Sequence, residues 1–87
     1  MAGVKKMAGA GIMNNILSVI KELYRDMAGY TLEQVEETLK KSGWQAGSHN
    51  YCINDGILSG WCRWSKNSIY LQFIFSTTSG ELLQINE

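Results

Sequence analysis

The sequence contains no proline and few residues of the kinds that carry catalysis or metal binding. Its 87 residues include two cysteines and one histidine, fewer Cys and His ligands than a structural zinc site uses. It has no apolar run of about 18 residues or more, which argues against a membrane-spanning helix. Without proline, only glycine and polar turns interrupt helices and strands. We expect no metal and no cofactor.

Charge is also scarce, and its two signs are balanced. Charged residues make up 18% of the chain, below the usual quarter or so. Eight Lys and Arg balance eight Asp and Glu, so no overall field attracts the protein to nucleic acid or to an anionic membrane. These counts disfavour a nucleic-acid partner and a membrane partner.

The first eleven residues show no periodic pattern and contain three glycines. Lys5 and Lys6 precede a Met/Ala/Gly stretch, as in a signal peptide. Asn14 and Asn15 then interrupt the apolar run, and no small-residue cleavage site follows. We therefore predict a flexible arm over residues 1–11, a single domain over residues 12–87 and a cytoplasmic location.

Apolar spacing predicts a first helix that begins at about residue 12 and ends before Gly29. Its apolar residues recur at helical intervals, with two more widening the face: Ile16, Ile20, Leu23 and Met27, then Leu17 and Tyr24. A second helix begins at Thr31, a natural N-cap, with Gln34 completing a capping box. Its apolar side carries Leu32, Val35 and Leu39, and Gly43 ends it.

After Gly43 the pattern changes to that of β-strands. We predict strands over residues 49–53, 58–65, 68–76 and 81–86, joined by turn-forming segments. The fold class that follows is α+β, with two N-terminal helices packed on one face of a three- to four-stranded antiparallel meander.

The turns also predict which residues share a sheet face. A two-residue loop at Lys66-Asn67 would pair Trp64 with Ile69 and Cys62 with Leu71. A three-residue loop at residues 78–80 would pair Phe75 with Leu83. The residues predicted to face the helices are Cys62, Trp64, Ile69, Leu71, Phe73, Phe75, Leu83 and Ile85.

The opposite sheet face is predicted to carry side chains that are unusual for a surface in contact with water. It would place Trp61 opposite Gln72 and Arg63 opposite Tyr70, with Ile74 beside them. Trp, Tyr and Arg are enriched at binding hot spots, so these five residues form the predicted partner-binding site. The alternatives are coverage by the arm or a dimer mate, or a one-residue slip that exchanges the faces.

The nucleophile candidates lack supporting groups. Cys52 and Cys62 would form a disulfide if they faced each other across a hairpin, but we favour two buried thiols. His49 has no third group to orient it beside a cysteine. Three acids on the second helix, Glu33, Glu36 and Glu37, are predicted to be solvated. We therefore expect no enzymatic activity.

Residues 28–35, Ala-Gly-Tyr-Thr-Leu-Glu-Gln-Val, and the strand 70–75 with its Ser79-Gly80-Glu81 turn resemble a known family. They are similar to β-lactamase-inhibitor-protein-like domains and the related SmpA/OmlA envelope domains, over about two thirds of the chain. The resemblance implies a helix–helix–four-strand unit that binds other proteins with its open sheet face. Tyr30 departs from the family's usual methionine, no export signal is visible, and only one unit is present.

The sequence thus predicts a protein-binding module that inhibits or regulates a larger protein, such as a phage-type inhibitor or an immunity protein. Its partner is another protein, whose identity the sequence does not give. One alternative is a homodimer with a structural or assembly role. The other is a domain that binds single-stranded nucleic acid on Trp61 and Tyr70.

Overall fold

The computed structural model describes the backbone of residues 8–87 and the side chains from residue 15 onward. The predicted arm lies largely outside this range, and the first helix already includes residues 8–11. The described elements are, in chain order, α1 (Ala8–Met27), α2 (Leu32–Lys41), β1 (Gln45–Asn54), β2 (Ile57–Lys66), β3 (Ile69–Phe75) and β4 (Leu82–Asn86).

The four strands form one antiparallel meander in the order β1-β2-β3-β4. Both helices lie on the same side of it, with α1 against β4 and α2 against β1. Two layers, one of helices and one of sheet, therefore enclose the core between them. This confirms the predicted α+β class.

Helix α1 packs on the sheet through its second half. Met27 is fully buried, and Val19, Ile20 and Leu23 are partly buried against the core. Leu17 and Tyr24 are 53% and 40% exposed, so the prediction that they widen the buried face is wrong. The face of α1 that packs on the sheet is narrower than the apolar face predicted from the sequence.

Helix α2 begins and ends as predicted. Its N-cap is Thr31, whose backbone N–H donates to Oε1 of Gln34 at 2.9 Å. After the helix, Gly43 takes a φ of +87°, and the Trp44 N–H donates to the carbonyl of Leu39 at 3.0 Å. The three predicted apolar residues, Leu32, Val35 and Leu39, are all buried.

The first hairpin is longer than predicted. Asp55 and Gly56 form a two-residue turn with φ of 53° and 80°, as in a type I′ turn. Strand β1 extends back to Gln45, past a bulge between Ala46 and His49. Trp44, directly before the strand, is buried in the core, a position that its sequence neighbours did not indicate.

The second hairpin turns one residue later than predicted. Asn67 and Ser68 occupy the turn, with φ of 50° and 68°. As a result Trp64 pairs with Leu71, and Cys62 pairs with Phe73, each two residues from its predicted partner. Side chains alternate with a period of two, so this shift leaves every residue on its predicted face.

The last hairpin contains a bulge that the sequence analysis missed. Phe73 pairs with Ile85 as predicted, but Phe75 pairs with Leu82 instead of Leu83, because the register shifts between Ile74 and Phe75. Leu82 is therefore buried and Leu83 is 57% exposed. The prediction of Leu83 as a core residue is wrong.

Candidate functional site

The sheet face turned away from the helices is built by the middle of β2 and β3. Directly opposed residues share a face, and the pairings place Trp61 opposite Ile74 and Arg63 opposite Gln72. Tyr70 lies opposite Ser65 and not opposite Arg63 as predicted. All five predicted partner-binding residues are thus on one face. We call them the outer patch: Trp61, Arg63, Tyr70, Gln72 and Ile74.

The outer patch has an exposed rim and a partly covered centre. Tyr70 is 70% exposed and Arg63 is also exposed, while Trp61, Gln72 and Ile74 are half-buried. The guanidinium carbon of Arg63 lies 5.3 Å from the Trp61 ring centroid, within range of a cation–π interaction. The two side chains therefore support each other on the surface.

Two neighbouring strands extend the outer patch with uncharged polar residues. Asn50 of β1 pairs with Trp61, and Gln84 of β4 pairs with Ile74. Asn50 is not among the predicted site residues, although a turn at Asp55-Gly56 gives its register. By their pairings, the outer-face positions around the patch are Gln45, Asn50, Cys52, Ser65, Gln84 and Asn86. Arg63 is the one charged residue among all these positions.

On the opposite, helix-covered face, polar side chains form a small cluster. The Tyr51 hydroxyl donates to Oε2 of Glu36 at 3.3 Å, so Glu36 is not simply solvated as predicted. Nε1 of Trp64 donates to Sγ of Cys62 at 3.3 Å, and the rings of His49 and Tyr51 stack with centroids 4.8 Å apart. The Tyr51–Glu36 hydrogen bond links β1 to α2, while the other two contacts lie within β2 and within β1.

Burial favours the protonated forms of Cys62 and Tyr51. Burial raises the pKa of the Cys62 thiol. It also raises the pKa of the Tyr51 phenol, and the neighbouring Cys62 and Glu36 add to this effect. A protonated, buried thiol is a poor nucleophile. The geometry around Cys62 therefore favours a structural role.

The two cysteines face opposite sides of the sheet and are both free. Cys62 pairs with His49 and lies on the helix side, whereas Cys52 pairs with Ser59, with its Sγ 3.8 Å from the Ser59 Oγ. Cys52 is exposed, so the prediction of two buried thiols is correct for Cys62 and wrong for Cys52.

Among the side chains that the structure describes, no three His, Cys, Asp or Glu residues are grouped closely enough to hold a metal ion. Neither helix, over its described residues, is long and apolar enough to cross a membrane.

Comparisons with protein families, with curated proteins and with solved structures found no match. The resemblance to β-lactamase-inhibitor-protein-like domains, which depends on residues 28–35 and 70–75, therefore stays a prediction.

Proposed function

We propose that this chain is a non-enzymatic binding module that recognises another protein with its outer patch, and that it acts in the cytoplasm as an inhibitor or regulator of that protein. The observation that carries the proposal is the composition of the open sheet face. A tryptophan, an exposed tyrosine and an arginine lie together there, where a sheet turned to water usually has small polar or charged residues. Such side chains dominate the affinity of protein interfaces.

The charges around the patch favour a protein over a nucleic acid. A surface that stacks bases also needs several basic residues to hold phosphates. Here Arg63 is the one cation among the outer-face positions, because Lys66 is turned to the end of α2, where its Nζ donates to the carbonyl of Ser42 at 2.6 Å. Binding to single-stranded nucleic acid would also weaken steeply with salt, which a protein partner held by aromatic contacts would not require.

The direct test uses the tagged protein as bait in a lysate of its own organism, beside a Trp61→Ala/Tyr70→Ala variant. Neither side chain belongs to the buried core, so the variant should fold, which circular dichroism would check. A matched control, Tyr24→Ala/Leu83→Ala, removes two exposed apolar side chains from α1 and β4.

We expect one protein to be captured by the wild type and the control and lost with the Trp61→Ala/Tyr70→Ala variant. Capture by all three proteins would contradict a role of the outer patch, as would capture of nothing by the wild type.

A further inference from the structure

Strand β1 forms one edge of the sheet, and its outer side is uncovered. The strand order leaves β1 paired on one side alone, to β2. Every residue of this ten-residue strand is exposed except the half-buried Tyr51. A row of backbone N–H and C=O groups on such an edge is a template for pairing with another strand.

Strand β1 also lacks the usual devices that prevent this pairing. Edge strands are normally protected by lysines, other charges, proline or a covering segment. The sequence of β1, QAGSHNYCIN, contains no Asp, Glu, Lys, Arg or Pro. The bulge between Ala46 and His49 interrupts its start, but the stretch from His49 to Asn54 pairs without a break.

The opposite edge of the sheet is closed in part. Strand β4 has five residues, and its start is covered by the segment that joins the helices. The Leu82 N–H donates to the carbonyl of Tyr30 at 2.8 Å, and Thr31 forms an antiparallel bridge with Glu81. Because β4 is protected in this way, β1 is the edge of the sheet that remains open to pairing.

We propose that two copies of this chain form a dimer by antiparallel pairing of their β1 edges about a two-fold axis. Such an axis brings the same surface of the two copies together, so a strand with several like charges would repel its copy. Strand β1 carries no such charge. The axis passes near Tyr51 and Cys52, in the middle of the regular stretch, and the two sheets become one.

The charges of α2 fit the same arrangement. This helix lies against β1, where Glu36 accepts the hydrogen bond from Tyr51, so the two-fold axis sets it antiparallel to the α2 of the second copy. Its acids come early and its lysines last: Glu33, Glu36 and Glu37, then Lys40 and Lys41. Glu33 at the start of each helix therefore faces the basic end of the other, which favours this orientation. Glu36 lies near the axis and faces its own copy, which opposes it.

This dimer is separate from the proposed function, since edge pairing leaves both outer patches uncovered. It places them on the same side of one continuous sheet, where two equivalent sites of a partner could be bound together. A homodimer formed by pairing of outer faces would instead bury Trp61 and Tyr70.

The test is sedimentation equilibrium of the untagged protein from micromolar to millimolar concentration. The edge variant Asn50→Lys/Cys52→Lys adds two lysines at exposed positions on one face of β1. The two-fold axis sets these lysines opposite each other across the strand pair. The matched control Leu83→Lys/Gln84→Lys adds the same charges to exposed positions of β4. Circular dichroism would verify that both fold.

We expect the wild type and the control to reach twice the monomer mass, and the edge variant to dissociate at least about tenfold more readily, since like charges opposed across a strand pair are destabilising. A wild type that stays monomeric throughout would overturn the proposal. So would an edge variant that dimerises like the wild type, or loss of the dimer in Trp61→Ala/Tyr70→Ala alone.

Cys52 gives a second measurement on the unmodified chain. In the paired dimer the two Cys52 Cα atoms lie within about 8 Å, as opposed or diagonal neighbours, so a short bismaleimide should join two chains. The Cys52→Ser variant should give no joined product, because Cys62 is buried. Absence of the Cys52 product at millimolar concentration would contradict β1 pairing.

Discussion

Arg63 and Trp61 contact each other on the outer sheet face of the isolated chain. The guanidinium over the indole ring, at 5.3 Å, restricts the rotamers of both side chains. Binding of the proposed partner would then order fewer side chains, which reduces the entropic cost of association. An exposed Arg and Trp with no mutual contact would lose more freedom on binding and would give less affinity.

The two thiols should differ sharply in reactivity. Cys52 is exposed, while Cys62 is buried and its pKa is raised by that burial, so its thiolate is both rare and inaccessible. We expect a thiol reagent at pH 8 to modify one cysteine per folded chain quickly. Cys52→Ser should abolish the fast reaction and Cys62→Ser should leave it unchanged. Two fast thiols in the native wild type would contradict this assignment.

Stability should fall in alkaline solution because of the cluster beneath α2. Burial raises the folded-state pKa of Tyr51 and of Cys62, so the folded protein binds these protons more tightly than the unfolded chain. Their stabilising effect is complete below the ordinary pKa values, about 8.5 for a thiol and about 10 for a phenol. It is lost as the pH rises through the folded values.

We therefore expect the free energy of unfolding, measured by urea denaturation, to decrease as the pH rises above about 9. Tyr51→Phe should remove the part of the decrease above about pH 10, and Tyr70→Phe, at a position that is 70% exposed, is the matched control. An equal slope in wild type and Tyr51→Phe would show that Tyr51 does not carry the effect.

The residues of the outer patch could be predicted because side chains alternate between the two faces along a strand. The face of a side chain therefore does not depend on which residue lies opposite it. The turn between β2 and β3 was placed one residue early, yet Trp61, Arg63 and Tyr70 stayed on the predicted face. Leu83 was misplaced because a bulge adds one residue to one strand, and nothing in the residues around Leu83 marks that bulge.

At the scale of elements, the first hairpin depends on Gly60 within β2. Its φ is +145°, and a Cβ there would collide with the carbonyl oxygen of Asn50 and lie 2.8 Å from the Cα of Tyr51. Both obstacles are backbone atoms, which cannot rotate away. The close contact of β1 and β2 therefore requires glycine at this position.

Gly60→Ala should lower the free energy of unfolding by about 2–4 kcal/mol, measured by urea denaturation. The matched control is Gly56→Ala in the β1–β2 turn, where φ is +80° but no atom lies within 4 Å of the added Cβ. It should cost about 1 kcal/mol, from backbone strain alone. Equal losses in the two variants would contradict the steric argument.

Helix α2 and the hairpins could be predicted because their signals are local. A capping threonine with a glutamine three residues later marks the start of a helix, and Asn/Asp/Gly segments mark turns. The extent of α1 is decided by tertiary packing instead: Leu17 and Tyr24 have the right spacing but are left exposed, since the sheet beneath covers one narrow face of the helix. Trp44 is likewise buried by the tertiary arrangement.

At the scale of the whole molecule, the two faces of the sheet differ because only one of them is covered by helices. The helices bury one face, so the residues of the other face are not required to pack in the core. The sequence predicts this division, because the turns set which residues are opposed and opposed residues share a face. It does not specify the partner, because aromatic and amide side chains suit many protein surfaces.

The most direct test of the central claim is an isothermal titration of the captured protein with the wild type and with single variants of the outer patch. We expect Trp61→Ala to weaken binding by about 2 kcal/mol or more, as at a hot spot, and the control Leu83→Ala to leave the affinity unchanged. Equal affinities for wild type and Trp61→Ala would contradict recognition through the outer sheet face.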